Sequence, residues 1–242
     1  AYNSAVSTIG AFTGSGAAPT TSTYTAAGIS GVDSSNLAAI NGAIAALPTS
    51  ATDAGLEIQA VVNAYTRVLS AADGNGNTTP DLSTTDLTTL QLISVASPTP
   101  TPADNAESAL LISVIGALPA AAVDTYGEML TLANNVTALI NSSGSATPAA
   151  LSVQELTALG LTGVNNSNLS AILNAIATAS LGSIDSLSDL QTIVNTAAAN
   201  QAAALNTLAG YATSNTGPAP AESVYTSAGV TGLQGNATLL DA

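Results

Sequence analysis

One short phrase returns four times along this chain, and it constrains the fold more than any other feature. It reads Ala27-Gly28-Ile29-Ser30-Gly31-Val32, then Gln91-Leu92-Ile93-Ser94-Val95, then Gly160-Leu161-Thr162-Gly163-Val164, then Ala228-Gly229-Val230-Thr231-Gly232-Leu233. Its closing residues Val32, Val95, Val164 and Leu233 stand 63, 69 and 69 positions apart by subtraction. Such a spacing marks successive copies of one supersecondary unit, not one domain built round one site. A unit of that length has a marginal core by itself, and neighbours stacked in a row share burial.

Each copy predicts a short helix, a Gly-punctuated loop and two longer antiparallel helices. In the third copy Ser152-Val153-Gln154-Glu155 is a capping box that opens a helix through Leu159, and Gly160 stops it. Asn166 to Asn168 are the expected caps of the next helix, whose apolar face is Leu169, Ile172, Leu173 and Ile176. Ser186 and Asp189 then open a third helix that carries Leu190, Ile193, Val194, Ala197, Leu205 and Leu208 to about Gly210. In the first copy Gly28 ends the short helix, Leu37, Ile40, Ile44 and Leu47 form the second, and Pro48 follows. Asp53 is the expected cap of the third, with Leu56, Val61, Val62, Tyr65, Val68 and Leu69 on its apolar side. In the second copy Pro98, Pro100 and Pro102 lengthen the loop, before helices through Leu110, Val114 and Leu118 and through Met129, Val136 and Ile140. The apolar stretch 109–123 reads as one buried helix, too short for the roughly 20 residues of a membrane span.

The expected fold class is therefore all-α, a tandem array of small three-helix bundles. Modules are expected at 21–73, 81–142 and 151–212, with the end of a third helix at 1–14 and the start of a further broken module at 221–242. Gly-, Ser-, Thr- and Pro-rich linkers at 13–22, 73–80, 142–148 and 213–220 read as semi-extended, stiff spacers. The broken end modules allow two arrangements. Either the chain is an excerpt of a longer array, or copies complete each other head to tail, a contact that gives filaments when it does not close.

Composition narrows the chemistry. One basic residue, Arg67, stands against 15 acidic ones, for a net charge of −14. Phosphate backbones and anionic membrane surfaces need Lys and Arg, so nucleic acid is excluded as a partner and membrane insertion is not expected. The chain has no Cys, His or Trp, which removes thiolate chemistry, Cys/His zinc sites and imidazole bases. Ser and Thr are plentiful but nothing evident activates them. The acids Asp33, Asp53, Asp86, Asp104, Glu107, Asp124, Glu155 and Asp189 fall mainly where helices begin, as capping and the helix dipole favour. No catalytic residue and no cofactor-binding residue is assigned, and the chain is not expected to be an enzyme. Arg67 is read as a local ion pair or a solvated stem, and Tyr24 and Tyr225, which share a repeat position, as packing residues.

One segment invites a metal. Asp73, Asn75, Asn77 and Asp81 alternate oxygen side chains with small residues, as a calcium loop does, although Thr78 and Thr84 stand where such a loop carries Gly and Glu. A Gly/Asn linker is the first reading of 73–81, and calcium on these four residues the second. Asn-x-Ser/Thr triplets beginning at Asn77, Asn135, Asn141, Asn165 and Asn236 matter only in a glycosylating secretory route.

Tyr24-Thr25-Ala26-Ala27-Gly28-Ile29-Ser30-Gly31-Val32, Asn36-Leu37-Ala38-Ala39-Ile40-Asn41 and Glu57-Ile58-Gln59-Ala60-Val61-Val62 together resemble the helical repeats of giant bacterial surface adhesins and biofilm-associated proteins. The layout is also similar to three-helix albumin-binding-type modules of bacterial cell-wall proteins, without their binding residues. The likeness covers nearly the whole chain, and the second copy departs from it with Gln91 and Ser94 in place of glycines. The resemblance implies an extracellular or cell-surface structural role, as an adhesin stalk or as a subunit of a filament, sheath or surface layer. Its partners would be neighbouring repeats or copies of itself. The alternative is a surface module that recognises a host protein or glycan through a helix face.

Overall fold

The computed structural model describes residues 1–76, 82–96, 99–145, 147–214 and 218–230. Among the described residues the chain is all-helical and has no strand. The helices are α1 (Tyr2–Gly10), α2 (Thr21–Ala26), α3 (Leu37–Ala46), α4 (Gly55–Ala71), α5 (Thr84–Thr89), α6 (Pro102–Ala117), α7 (Tyr126–Ser142), α8 (Val153–Ala158), α9 (Leu169–Thr178), α10 (Leu187–Ser214) and α11 (Glu222–Ser227). Three 3-10 turns, Thr49–Ala51, Ala120–Ala122 and Leu181–Ser183, lie just ahead of α4, α7 and α10. The chain divides into two compact units, Ala1–Thr137 and Ala138–Ala242, with the division inside α7.

The helix stop within the recurring phrase folds the same way each time. Helices of six residues are too short to persist on local hydrogen bonds, so α2, α5 and α8 are tied at both ends and α11 at its C-terminal end. Capping boxes Thr20/Thr23, Ser83/Asp86 and Ser152/Glu155 hold the starts of α2, α5 and α8. At the other end the chain turns left-handed, at Gly28 (φ +67°), Gln91 (+52°), Gly160 (+93°) and Gly229 (+91°). The next amide then closes back on the helix: Ile29 N–H on Tyr24 O at 2.9 Å, Leu92 on Leu87 at 2.9 Å, Leu161 on Leu156 at 3.3 Å and Val230 on Tyr225 at 3.0 Å. That is a Schellman-type stop repeated four times.

In the first unit α4 is the central helix. It packs against α1, α3, α5, α6 and the 3-10 turn Ala120–Ala122. Its inward face, Ile58, Val61, Val62, Tyr65 and Val68, is fully buried. The Tyr65 hydroxyl donates to Val123 O at 3.3 Å, and the Tyr126 hydroxyl to Leu90 O at 2.8 Å. α1 lies against α2 and α4 and buries Ala5, Val6 and Ile9. A β-carbon on Gly10 would come 2.4 Å from Thr52 O, so glycine is what lets the end of α1 reach the turn before α4. In the second unit α10 packs against α9 and α11 and buries Leu190, Val194 and Ala197. A long helix thus meets the short helix that follows it in α1 with α2, α4 with α5, and α10 with α11.

Several local expectations differ from the structure. Asp53 does not cap α4; the N-cap is Ala54, whose N–H donates to the Glu57 carboxylate at 3.1 Å. Leu56 points outward and is 87% exposed, because it sits in the first turn opposite the buried stripe. Pro102 belongs to α6, not to the loop: it is the first helical residue behind the N-cap Thr101, where a missing N–H costs nothing. The stretch 109–123 is not one helix, since α6 ends at Ala117 and Pro119 leads into a 3-10 turn. α10 runs four residues past Gly210, to Ser214, and leaves Leu205 49% exposed. Residues 73–76 form a turn, not an extended spacer: Gly74 and Gly76 have φ of +76° and +73°, and Gly76 N–H donates to Gly116 O at 3.0 Å. Leu233 and the segment 236–242 lie outside the described residues.

Candidate functional site

Equivalent positions in the first and third copies lie 132 apart by subtraction, and two polar devices recur there. In the first, a glutamine on the long helix grips the backbone of the loop after the short helix. Gln59 Oε1 accepts from Ser30 N–H at 2.8 Å, its Nε2 donates to Ser30 O at 3.1 Å, and Nε2 also donates to Asn63 Oδ1 at 2.8 Å. Gln191 does the same to Thr162, at 2.9 and 3.1 Å, with Asn195 Oδ1 at 2.9 Å. In the second device an asparagine staples the loop. Asn36 Oδ1 accepts from Asp33 N–H at 2.9 Å and its Nδ2 donates to Gly31 O at 2.8 Å; Asn168 repeats this with Asn165 N–H and Gly163 O, both at 2.8 Å. Asn168, one of the expected caps, does stand at the N-cap position of α9, as Asn36 does at that of α3. Neither side chain makes a cap hydrogen bond, because each is turned back onto the loop.

The second copy lacks both devices. Leu130 occupies the glutamine position of α7 and Ser94 the position of Gly31, without a left-handed φ. The loop consequently leaves the repeat's path, and α6 begins at Pro102 on a Thr101/Asp104 capping box. The Asp104 carboxylate also accepts from Ala96 N–H at 3.2 Å, which anchors the detour. Hydrogen bonds from Thr101 and Ala96 backbone amides hold the Asp104 carboxyl below its usual range. What opens is a groove of about 720 Å³ whose lining includes Gln91 to Val95, Glu107, Leu130 and Asn134. Leu92 and Ile93 form its buried wall, while Leu130 is 37% exposed. Glu107, half-buried, accepts from the Thr137 hydroxyl.

Gln91 stands at the lip of this groove as the one non-glycine with a left-handed φ among the described residues. The left-handed region costs a side chain roughly 1–2 kcal/mol. Glycine itself loses part of that through unfolded-chain entropy. Gln91→Gly is therefore expected to stabilise the protein by about 0.5–1 kcal/mol, raising Tm by roughly 2–3 °C. A lower Tm in thermal unfolding would mean that the Gln91 side chain makes contacts worth more than the strain.

The remaining candidates make local contacts. Asp73 and Asn75 lie together in the turn after α4. The Asp73 carboxylate accepts from Asn75 N–H at 3.0 Å and Asn75 Nδ2 at 2.5 Å, and Asn77 and Asp81 are outside the described residues. Among the described residues no group of three or more acidic side chains converges to hold a metal ion. Arg67 forms an ion pair with Asp86, Nε to Oδ1 at 2.8 Å with Nη2 on the same oxygen. Tyr24 is fully buried, its hydroxyl donating to Asn41 Oδ1 at 2.8 Å, and Asn41 Nδ2 donates to Pro19 O at 2.8 Å. Of the glycan-type triplets, Asn135 is buried in α7 and out of reach of a modifying enzyme in the folded chain.

Sequence reasoning missed the glutamine clamps and the groove. The signal was present, since Gln59 and Gln191 share a register that Leu130 breaks, but only the fold shows what the glutamines hold. No helix of the described residues is long and apolar enough to cross a membrane. Compared with protein-family models, curated proteins and solved structures, the chain matches none.

Proposed function

We propose that this chain is a structural, non-catalytic repeat protein of the bacterial cell surface, serving as a stalk, filament, sheath or lattice component built from tandem three-helix modules. The observation that carries this reading is the helix stop repeated at Gly28, Gln91, Gly160 and Gly229, together with long helices that pack on the short helix of the next copy. Packing of that kind makes each module a template for its neighbour, and stability then grows with the number of copies. A charge of −14 keeps such a surface solvated and resists collapse between chains. The self-partnering reading follows from the same geometry, because a module face that accepts the next copy within a chain also fits one from another chain.

Antibody raised against the purified chain should label the outside of intact producing cells, and electron microscopy should find the label on threads or a regular layer. Label confined to the cell interior would remove the reading. Isolated compact particles on the surface would favour the module that grips a host protein or glycan.

A further inference from the structure

We propose that the groove of the second copy binds the side-chain carboxamide of a glutamine or asparagine in a partner polypeptide, in the place that Gln59 and Gln191 fill from within the chain. Such recognition goes beyond a purely structural role, and its precedent lies within the chain itself. Twice, a carboxamide accepts from the backbone N–H of the residue two past the left-handed stop, donates to its carbonyl, and donates again to an asparagine one helical turn on. In the second copy the residue two past the stop at Gln91 is Ile93, and it lines the groove. The asparagine is kept: Asn134 stands in the register of Asn63 and Asn195, and it too lines the groove. Of the parts of this clamp the carboxamide is the one missing, because the Leu130 side chain carries neither donor nor acceptor.

The surroundings define the occupant further. Leu92, Ile93, Val95 and Leu130 offer apolar contact for an aliphatic stem. Glu107, also in the lining, repels a carboxylate, so a glutamine is accepted where a glutamate is not. A site built to hydrogen-bond an amide also discriminates strongly against an apolar isostere, which leaves polar groups unpaired. Gln91 repeats the left-handed stop of Gly28 and Gly160, so the chain reaches Ile93 through the same closure that precedes Ser30 and Thr162.

Titration of the full chain with acetyl-Ala-Gln-Ala-amide, followed by ¹H–¹⁵N NMR, tests this. Saturable shifts are expected at the Ile93 and Ser94 amides and at the Asn134 side chain. The Glu and Leu counterparts of the peptide should bind at least about tenfold more weakly. In Leu130→Gln the new glutamine should occupy the site from within, and the peptide shifts should vanish while the rest of the spectrum stays in place. Should that variant misfold, Asn134→Ala, on an exposed position, should weaken the Gln peptide while leaving the fold intact. Equal shifts from all three peptides, no shift from the Gln peptide up to its solubility, or peptide binding unchanged in both variants overturns the proposal.

Discussion

Tyr24→Leu is expected to lower the unfolding free energy by about 2–4 kcal/mol, through a void left by the ring and an orphaned acceptor on Asn41. Tyr24 is fully buried and its hydroxyl is the donor to Asn41 Oδ1. Burial pushes its phenol above the ordinary value, so it remains a donor throughout the neutral range. The third copy shows how the site is otherwise filled: by the 132-residue offset, Leu156 stands at the position of Tyr24 and Leu173 at that of Asn41. Both leucines are buried, with Leu151 in the place of Pro19. The tyrosine and asparagine are thus one interchangeable unit. Removing one partner leaves a buried polar group unpaired, whereas replacing both removes the pair cleanly. Tyr24→Leu with Asn41→Leu should accordingly be at least about 1 kcal/mol more stable than the sum of the single changes indicates. Denaturant titration of the four proteins gives the coupling, and additive single effects would refute the pairing.

Arg67→Met should cost about 2–3 kcal/mol, or roughly 5–10 °C in Tm, by stranding a buried carboxylate. Asp86 is only 2% exposed, yet the Arg67 side chain is 42% exposed, so solvent screens part of the pair and the effect falls short of that for a fully buried one. Burial alone would raise the Asp86 carboxyl. Hydrogen bonds from Arg67 and Ser83, with the guanidinium charge, outweigh it and hold the group below the usual range. A depressed folded value means that this stabilisation is complete above the unfolded carboxyl value near 4 and is lost as pH falls through the folded one. Asp33, Asp104 and Glu155, held by hydrogen bonds at loop and helix starts, share that direction. Acid unfolding should therefore begin at higher pH in Arg67→Met than in the parent. Arg67→Met with Asp86→Asn should recover part of the loss, since no charge is then left unpaired. An unchanged Tm and acid midpoint in Arg67→Met would show that the pair contributes nothing. As the chain's one cation, Arg67 ties α4 to the capping box of the next short helix, a role that its position on α4 did not disclose.

Local rules written in adjacent residues read correctly. Capping pairs at Ser152/Glu155, glycines at helix stops and the apolar spacing of α3, α4 and α9 act within one or two helical turns, where a few residues decide the outcome. The misreadings share a different origin. Asn168 stands at the N-cap of α9 as expected, yet its side chain does not cap, because the loop's own backbone groups compete for it and win. Leu56 was counted inward on composition, and only the neighbours of α4 show which stripe faces them. The groove was illegible because a leucine at 130 looks like any apolar helix residue until its sister glutamines are seen holding a loop 29 positions away.

From the order of residues alone came the helical class, the fourfold phrase and its period, because hydrophobic spacing and turn chemistry are short-range and repeat when the sequence repeats. Which helix covers which, which polar side chains bridge copies, and where one copy opens into a groove were decided by tertiary contacts alone. Those depend on side chains far apart in the chain meeting at a few ångströms, and a single exchange such as glutamine for leucine changes them without altering the local pattern.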